Sequence, residues 1–442
     1  MKLVYDVEDK PKFGQIILFA LQQLLAILAA TIAVPIITGN GMQPAAALFG
    51  AGVGTLIYVL FTKAKSPVFL GSSFAFLGSM AAAFAGAVSV EVGYAGLIIG
   101  AGMAGAVYAI IALIVKIAGT KWINKLMPAQ VIGPTVAIIG LSLAGNAVGD
   151  LQTTASTAEG VSPLAAVAVG IITLLVVCIC SVYGSKSMKL IPFIIGILAG
   201  YAIAAVLTLI GQSTGNEALI LCDFSAFENM SAISVPEFTF IKGFEGIKDV
   251  DASYLVTLAV AYVPVAFVVF AEHLADHTNI SSIIERDLVG GEPGLHRTLL
   301  GDGVGSFIGA IFGGCPNTTY GESIACVAIT GNASVITIIF TAIIAMAISF
   351  VGPFVTFLGS IPSCVMGGVC MSLYGFIAVS GLKMVQKVDL EDNRNLFVVS
   401  TILISGIGGL ALTFGNITIT TVAVALILGI IFNLILSGKQ SK

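Results

Sequence analysis

The chain has 442 residues, 57% hydrophobic and only 10% charged, with a mean hydropathy of +1.07 and a net charge of −4. Soluble domains carry about 25% charged residues, so this composition excludes a soluble domain and points to lipid. The net charge is too small to suggest a nucleic-acid partner.

Met1–Phe13 is charged and mixed, and the apolar segment after it is too long for a cleavable leader. A spanning helix needs ~20 apolar residues. By that length the chain divides into about fourteen runs, roughly 14–38, 44–62, 67–88, 93–117, 128–149, 162–183, 188–212, 252–276, 296–314, 316–331, 333–351, 363–382, 394–412 and 417–436. Gly and Pro interrupt the ninth to eleventh. The 51 glycines fit close helix packing or helix breaks.

Charge alternates along the loops. One side carries Lys63 and Lys65; Lys116, Lys121 and Lys125; Lys186 and Lys189; Arg286 and Arg297; Lys383, Lys387 and Arg394. The chain ends, with Lys2, Lys10, Lys12, Lys439 and Lys442, fall on the same side. The other side carries Glu91, Asp150, Glu159 and an acidic stretch from Gly211 to Asp251. Basic loops stay in the cytoplasm, which predicts a multi-pass protein of the cell inner (plasma) membrane with both termini cytoplasmic.

Met127-Pro128-Ala129-Gln130-Val131-Ile132-Gly133 precedes the body of the fifth run, and Ile361-Pro362-Ser363-Cys364-Val365-Met366-Gly367 that of the twelfth. Both read apolar-Pro-small-x-Val-apolar-Gly, seven runs apart. An odd offset makes the second copy enter the membrane from the opposite side, an inverted repeat of the kind transporters use. Runs 3 and 10, also seven apart, both look broken, at Gly71-Ser72-Ser73-Phe74-Ala75-Phe76 and at Pro316-Asn317-Thr318-Thr319-Tyr320-Gly321. Non-helical backbone at membrane depth survives only where it lines a cavity or is buried in protein, and matched breaks in two halves point to a binding site.

Two carboxylates sit beside such segments. Glu272 ends the apolar run Val256–Phe270, and Glu322 follows the break in run 10. Charge inside a bilayer is costly and by default marks a substrate or proton path. The structural alternatives are a helix-end charge for Glu272 and a half-helix cap for Glu322. His273 reads as a structural ring, and His296 and Arg297 as loop residues. Glu272-His273 followed by Asp276-His277 could mimic a metal cluster, but no third ligand set stands out, so neither an enzyme nor a metal or other cofactor is expected. Cys178, Cys180, Cys222, Cys315, Cys326, Cys364 and Cys370 read as small core residues.

The segments Leu70-Gly71-Ser72-Ser73-Phe74-Ala75-Phe76, Ala271-Glu272-His273, Asp287-Leu288 with Pro293-Gly294-Leu295-His296-Arg297, Pro316-Asn317-Thr318-Thr319-Tyr320-Gly321-Glu322, and Met366-Gly367-Gly368-Val369 with Tyr374-Gly375 occur in order along nearly the whole chain. In them the chain resembles the nucleobase–ascorbate transporter family, and within it the uracil–proton symporters. The resemblance implies an all-α membrane protein of fourteen transmembrane spans in two inverted seven-span repeats, with short β-strands in broken spans 3 and 10. It implies a core domain from 14–118 and 252–352 and a gate domain from 119–212 and 353–436. The stretch 213–251 becomes an extracellular or periplasmic acidic loop, and a homodimer would form through the gate domain. A nucleobase would lie between the strands, held by Glu272 and Glu322, with backbone N–H groups near Phe74, Gly321 and Glu322 on its carbonyls. Ser73, Tyr320 and Tyr374 would complete the pocket.

Two positions depart from that pattern. Asp276 stands where the uracil symporters have a His, with His277 one place later, and Gln22-Gln23 replaces a Gln-His pair. Asp276 lies one helical turn after Glu272 and on the same face, whereas His277 is rotated about 100° away. Glu272, Asp276 and Glu322 are therefore the expected proton-coupling residues. Uracil offers two N–H donors and two carbonyl acceptors, which carboxylates and open backbone amides complement. Buried neighbouring carboxylates also hold protons more readily than isolated ones. A purine, xanthine or urate permease of the same family, or an anion carrier of the same fold, are the alternatives.

Overall fold

The computed structural model describes residues 3–152, 161–228, 230–414 and 417–437. Lys2, Glu159, Lys439 and Lys442 of the charge pattern lie outside the described residues. Among the described residues, 8 helices are long and apolar enough to cross a membrane: Phe13–Thr38, Pro44–Phe61, Val90–Ala118, Ala129–Gln152, Pro163–Tyr183, Pro192–Thr214, Ala252–Ile284 and Ser363–Val385. The other apolar runs hold shorter or less apolar helices: Leu77–Ala85, Leu295–Gly313, Gly321–Thr330, Val335–Ile348, Asn393–Ile407 and Thr421–Leu436. Proline opens three of the long helices, at Pro44, Pro163 and Pro192, where its missing N–H costs nothing. Left-handed Gly215, Gly314 and Gly331 close Pro192–Thr214, Leu295–Gly313 and Gly321–Thr330.

Both broken runs contain a strand. β1 (Leu70–Ser72) pairs antiparallel with β2 (Asn317–Thr319), in the register Leu70↔Thr319, Gly71↔Thr318 and Ser72↔Asn317. The pairing extends at each end, where Ser73 N–H donates to Pro316 O at 2.9 Å and Tyr320 N–H to Phe69 O at 3.2 Å. Each break thus supplies the other's hydrogen bonds, which backbone in a bilayer cannot obtain from lipid. A short 3₁₀ turn, Phe74–Phe76, leads from β1 into Leu77–Ala85, and β2 leads into Gly321–Thr330.

Three boundaries differ from those predicted. Ala252–Ile284 runs 33 residues, well past 276. Along its polar end the side chains of His277, Thr278 and Ser281 satisfy their donors on the helix's own carbonyls, those of His273, Leu274 and His277. Helix Ala129–Ser142 breaks at Leu143 and resumes as Ala144–Gln152. The last two runs are shorter than expected. Between them an antiparallel hairpin forms from β3 (Leu412–Phe414) and β4 (Ile417–Ile419). Gly408 and left-handed Gly409 stop the preceding helix, and the Thr- and Ile-rich sequence after it favours strand.

The helices pack in two groups. In one, Pro44–Phe61 crosses Leu295–Gly313, and Val90–Ala118, Ala252–Ile284, Val335–Ile348 and Phe13–Thr38 surround them. The crossing is made by glycine: a Cβ on Gly50 would lie 2.4 Å from Gly309 O, and one on Gly54 2.7 Å from Gly305 O. In the other, Ser363–Val385 packs on Ala129–Ser142 and Pro163–Tyr183, and Asn393–Ile407 lies along Thr421–Leu436. Glycine again sets the approach, since a Cβ on Gly140 would lie 2.2 Å from Tyr374 O. Small residues let helices approach where lipid gives no hydrophobic drive. The acidic stretch contains a helix of its own, Thr239–Gly246, seated against Val90–Ala118. Six of the cysteines are buried and unbridged, as core residues should be, but Cys178 is exposed.

Candidate functional site

Between the two groups lies a cavity of about 560 Å³, walled on one side by β2, the start of Gly321–Thr330 and the middle of Ala252–Ile284. Its other wall comes from Ser363–Val385 and the Lys189–Phe193 segment. Glu272, Asp276 and Glu322 all line it, together with Phe74, Tyr320 and Gly321. Glu272 is not a helix-end charge: its helix continues for about three more turns to Ile284. Asp276 is fixed by Thr319, whose Oγ1 donates to Asp276 Oδ2 at 2.7 Å. This bond joins the long helix to β2. Glu322 stands in the first turn of Gly321–Thr330, where the opening amides have no acceptor within the helix. Tyr320 O–H donates to Ser72 O at 2.8 Å. Its ring lies over Gly71, where a Cβ would come within 2.3 Å of the ring.

Two predicted residues lie elsewhere. Ser73 is fully buried at the end of β1, its Oγ without a hydrogen-bond partner, and it is not part of the cavity wall. Tyr374 is behind Phe74, which it meets edge-on with centroids 5.6 Å apart, and it also stays out of the wall. Neither is among the residues that line the cavity.

A polar scaffold holds the strands in place. Thr55 Oγ1 accepts from Leu70 N–H at 3.0 Å and donates to Ala51 O at 2.8 Å. Asn317 Nδ2 donates to Gly50 O at 3.1 Å. Gln23 Nε2 donates to Ser323 Oγ, which accepts from Phe69 N–H at 3.0 Å. The Gln22-Gln23 pair therefore reaches the site through Gln23, which ties the first helix to both breaks.

Sequence reasoning passed over Asp302. This carboxylate is fully buried in Leu295–Gly313, with Oδ2 2.6 Å from His273 Nδ1. His273 Nε2 lies 3.0 Å from Thr298 Oγ1. The His273 ring stacks on His277 at 4.0 Å between centroids. His277 Nδ1 meets the His273 carbonyl at 2.8 Å, so that nitrogen donates. Its Nε2 must then accept from Tyr58 O–H at 2.7 Å, and Tyr58 accepts from Ser66 Oγ at 2.7 Å. Neither histidine lines the cavity; both belong to a buried polar network in which Asp302 Oδ1 has no partner. The signal was available: an acid inside run 296–314 obeys the same rule that singled out Glu272 and Glu322. Among the described residues no group of three or more His, Cys, Asp or Glu has metal-binding geometry.

A helical bundle with a polar cavity beside two broken helices is the plan of a secondary transporter. The chain belongs to the permease family, whose signature matches residues 14–415, and is accordingly a membrane transporter rather than an enzyme. A uracil permease of Bacillus caldolyticus is 39% identical over 443 residues, covering 99% of this chain and 96% of that protein. A uracil permease of Escherichia coli (strain K12) is 35% identical over 432 residues, covering 97% and 93%. The transmembrane domain of the cyanobacterial bicarbonate transporter BicA shares the fold, with a TM-score of 0.62 at 15% identity over 97% of this chain and 99% of that one.

Proposed function

We propose that the chain imports uracil in symport with protons, by alternating access of a core domain (14–118 and 252–352) against a gate domain (119–212 and 353–436). The observation that carries this reading is the convergence of Glu272 and Glu322, from two different elements, on one cavity beside the open amides of a half-helix. Carboxylates accept from the N–H groups of the base and the amides donate to its carbonyls. The full-length relatives named uracil permeases supply the substrate. Asp276, lining the same cavity and held by Thr319, takes the proton-coupling role with the two glutamates.

The reading includes fourteen spans, an inner-membrane location and cytoplasmic termini. Lys189, in the short helix Lys186–Leu190, and Lys383, in the last turn of Ser363–Val385, line the cavity and belong to the basic groups predicted to be cytoplasmic, so the cavity faces the cytoplasm. Phe74, Ala75 and Ile139 border both this cavity and a smaller one of about 330 Å³ on their other side. They form the closed outer gate of an inward-facing carrier. A dimer would join through the gate domain.

The test is uptake of labelled uracil into proteoliposomes with and without an imposed pH gradient, in competition with xanthine, urate and bicarbonate. Uracil accumulation driven by an inward proton gradient is the expected result. Uptake indifferent to the gradient would end the proton reading, and stronger competition by xanthine or urate than by unlabelled uracil would end the substrate reading.

A further inference from the structure

The cavity is larger than a single pyrimidine ring needs, falling in the size range of sites that hold drug-sized ligands, roughly 300–1,000 Å³. Its chemistry is also divided. Glu272, Asp276 and Glu322 sit on the wall built by β2 and the two helices beside it, whereas the opposite wall brings Lys189 and Lys383, and Ser181 and Ser380 also line the space. Neither lysine has an ion-pair or hydrogen-bond partner among the described residues, and both are exposed. A lysine that merely extended toward lipid headgroups would cover the outer surface of the bundle. These two line the same space as the acids instead. An uncharged base uses none of that positive charge.

We propose that the lysine wall is a phosphate subsite, and that the cavity binds a pyrimidine nucleoside monophosphate from the cytoplasmic side, with the base at the acids and the phosphate at Lys189 and Lys383. This rests on the uracil reading above. The nucleotide has a sugar on N1, so it loses one N–H donor to a carboxylate but keeps N3–H and both carbonyls. It gains two ammonium partners for a dianion, and lysine is a common phosphate ligand. Its bulk and charge prevent passage through the Phe74–Ile139 constriction, so it acts as an inhibitor and not as cargo. The carrier would thereby slow as the phosphorylated form of its own substrate accumulates inside.

The discriminating comparison is between uridine 5′-monophosphate and uridine, which differ only in the phosphate. Displacement of labelled uracil from the detergent-purified protein should need about tenfold less of the monophosphate than of uridine. Each exposed lysine–phosphate contact is worth up to about fivefold. Inorganic phosphate alone, and micelles containing phosphatidylglycerol, should displace nothing. In the double variant Lys189→Gln/Lys383→Gln the nucleoside and its monophosphate should compete equally while uracil affinity is unchanged. Raised salt should shrink the advantage in the wild type by screening. In proteoliposomes the monophosphate should inhibit only from the lysine face. A monophosphate no better than uridine, an advantage that survives in the double variant, or equal displacement by inorganic phosphate or anionic lipid would each overturn the proposal. Failure of the wild-type protein to bind uracil would overturn the parent reading as well, whereas uracil binding without a nucleotide advantage overturns this one alone.

Discussion

Glu272, Asp276 and Glu322 are three carboxylates in one cavity, yet only Asp276 has a side-chain hydrogen bond, from Thr319. In the proposed function the two glutamates meet the N–H groups of the base. Glu272→Gln and Glu322→Gln each replace an acceptor oxygen with a donor that faces the N–H of the base. Loss of a charge-assisted hydrogen bond costs on the order of 1.5–3 kcal/mol, or about 10- to 150-fold in affinity. Binding of labelled uracil to purified protein should fall by that factor in each variant, with thermal unfolding close to wild type. The neighbouring residues separate proton coupling from structure. Asp276→Asn should alter the pH dependence of uptake more than it alters equilibrium binding. His277 has both ring nitrogens engaged inside the bundle. His277→Ala should therefore leave the pH profile in place and lower stability by roughly 1–3 kcal/mol, since Tyr58 and the His273 carbonyl lose their partner. A changed pH profile in His277→Ala with an unchanged one in Asp276→Asn would move the relay to the histidine.

At the scale of elements, the site is a strand pair suspended on a glycine crossing. Gly50 and Gly54 let Pro44–Phe61 touch Leu295–Gly313 backbone to backbone, and Asn317 of β2 reaches Gly50 O through that contact. Gly305→Val would put two extra methyl groups and a Cβ against Gly54 O, 2.7 Å from the added Cβ. Overpacking of this kind costs about 1–3 kcal/mol or more, visible as a lower melting temperature in detergent. Gly71→Ala is the milder test. Its Cβ meets the Tyr320 ring rather than backbone, so the fold should survive while the ring moves off β1. Uracil affinity should drop several-fold with little change in melting temperature, and unchanged affinity would mean that the Tyr320 position does not matter to the ligand.

For the whole molecule, the two cavities on either side of Phe74, Ala75 and Ile139 give an accessibility test. Replacing exposed Cys178 together with buried Cys315 and Cys326 by Ala should leave uptake near normal, since none of the three pairs with another cysteine. In that background a cysteine at Ser380, in the larger cavity, should react with a membrane-impermeant maleimide added on the lysine face, and uracil should slow it. A cysteine at Ser142, lining the smaller cavity, should react only from the opposite face. Equal labelling of both positions from one side would contradict a closed gate between them.

Composition, the length of the apolar runs and the alternation of loop charge were enough to show a polytopic membrane protein, because lipid and the positive-inside bias act on each segment separately. Glu272, Glu322 and the matched breaks at Gly71–Phe76 and Pro316–Gly321 were legible for the same local reason: charge and β-forming residues stand out in an apolar helix. What needed the tertiary structure was everything decided by partners distant in the chain. Only the fold shows that β1 and β2 pair with each other, that Gln23 meets Ser323, and that Asp276 bonds Thr319. It likewise leaves Ser73 and Tyr374 off the cavity lining and joins Asp302 to His273. The long helix outran its hydropathy, its polar side chains finding acceptors on its own carbonyls, and the β3–β4 hairpin replaced predicted helix where glycine ended it. Sequence marks which groups are costly in lipid, but the pairing that makes them tolerable is a property of neighbours that only folding brings together.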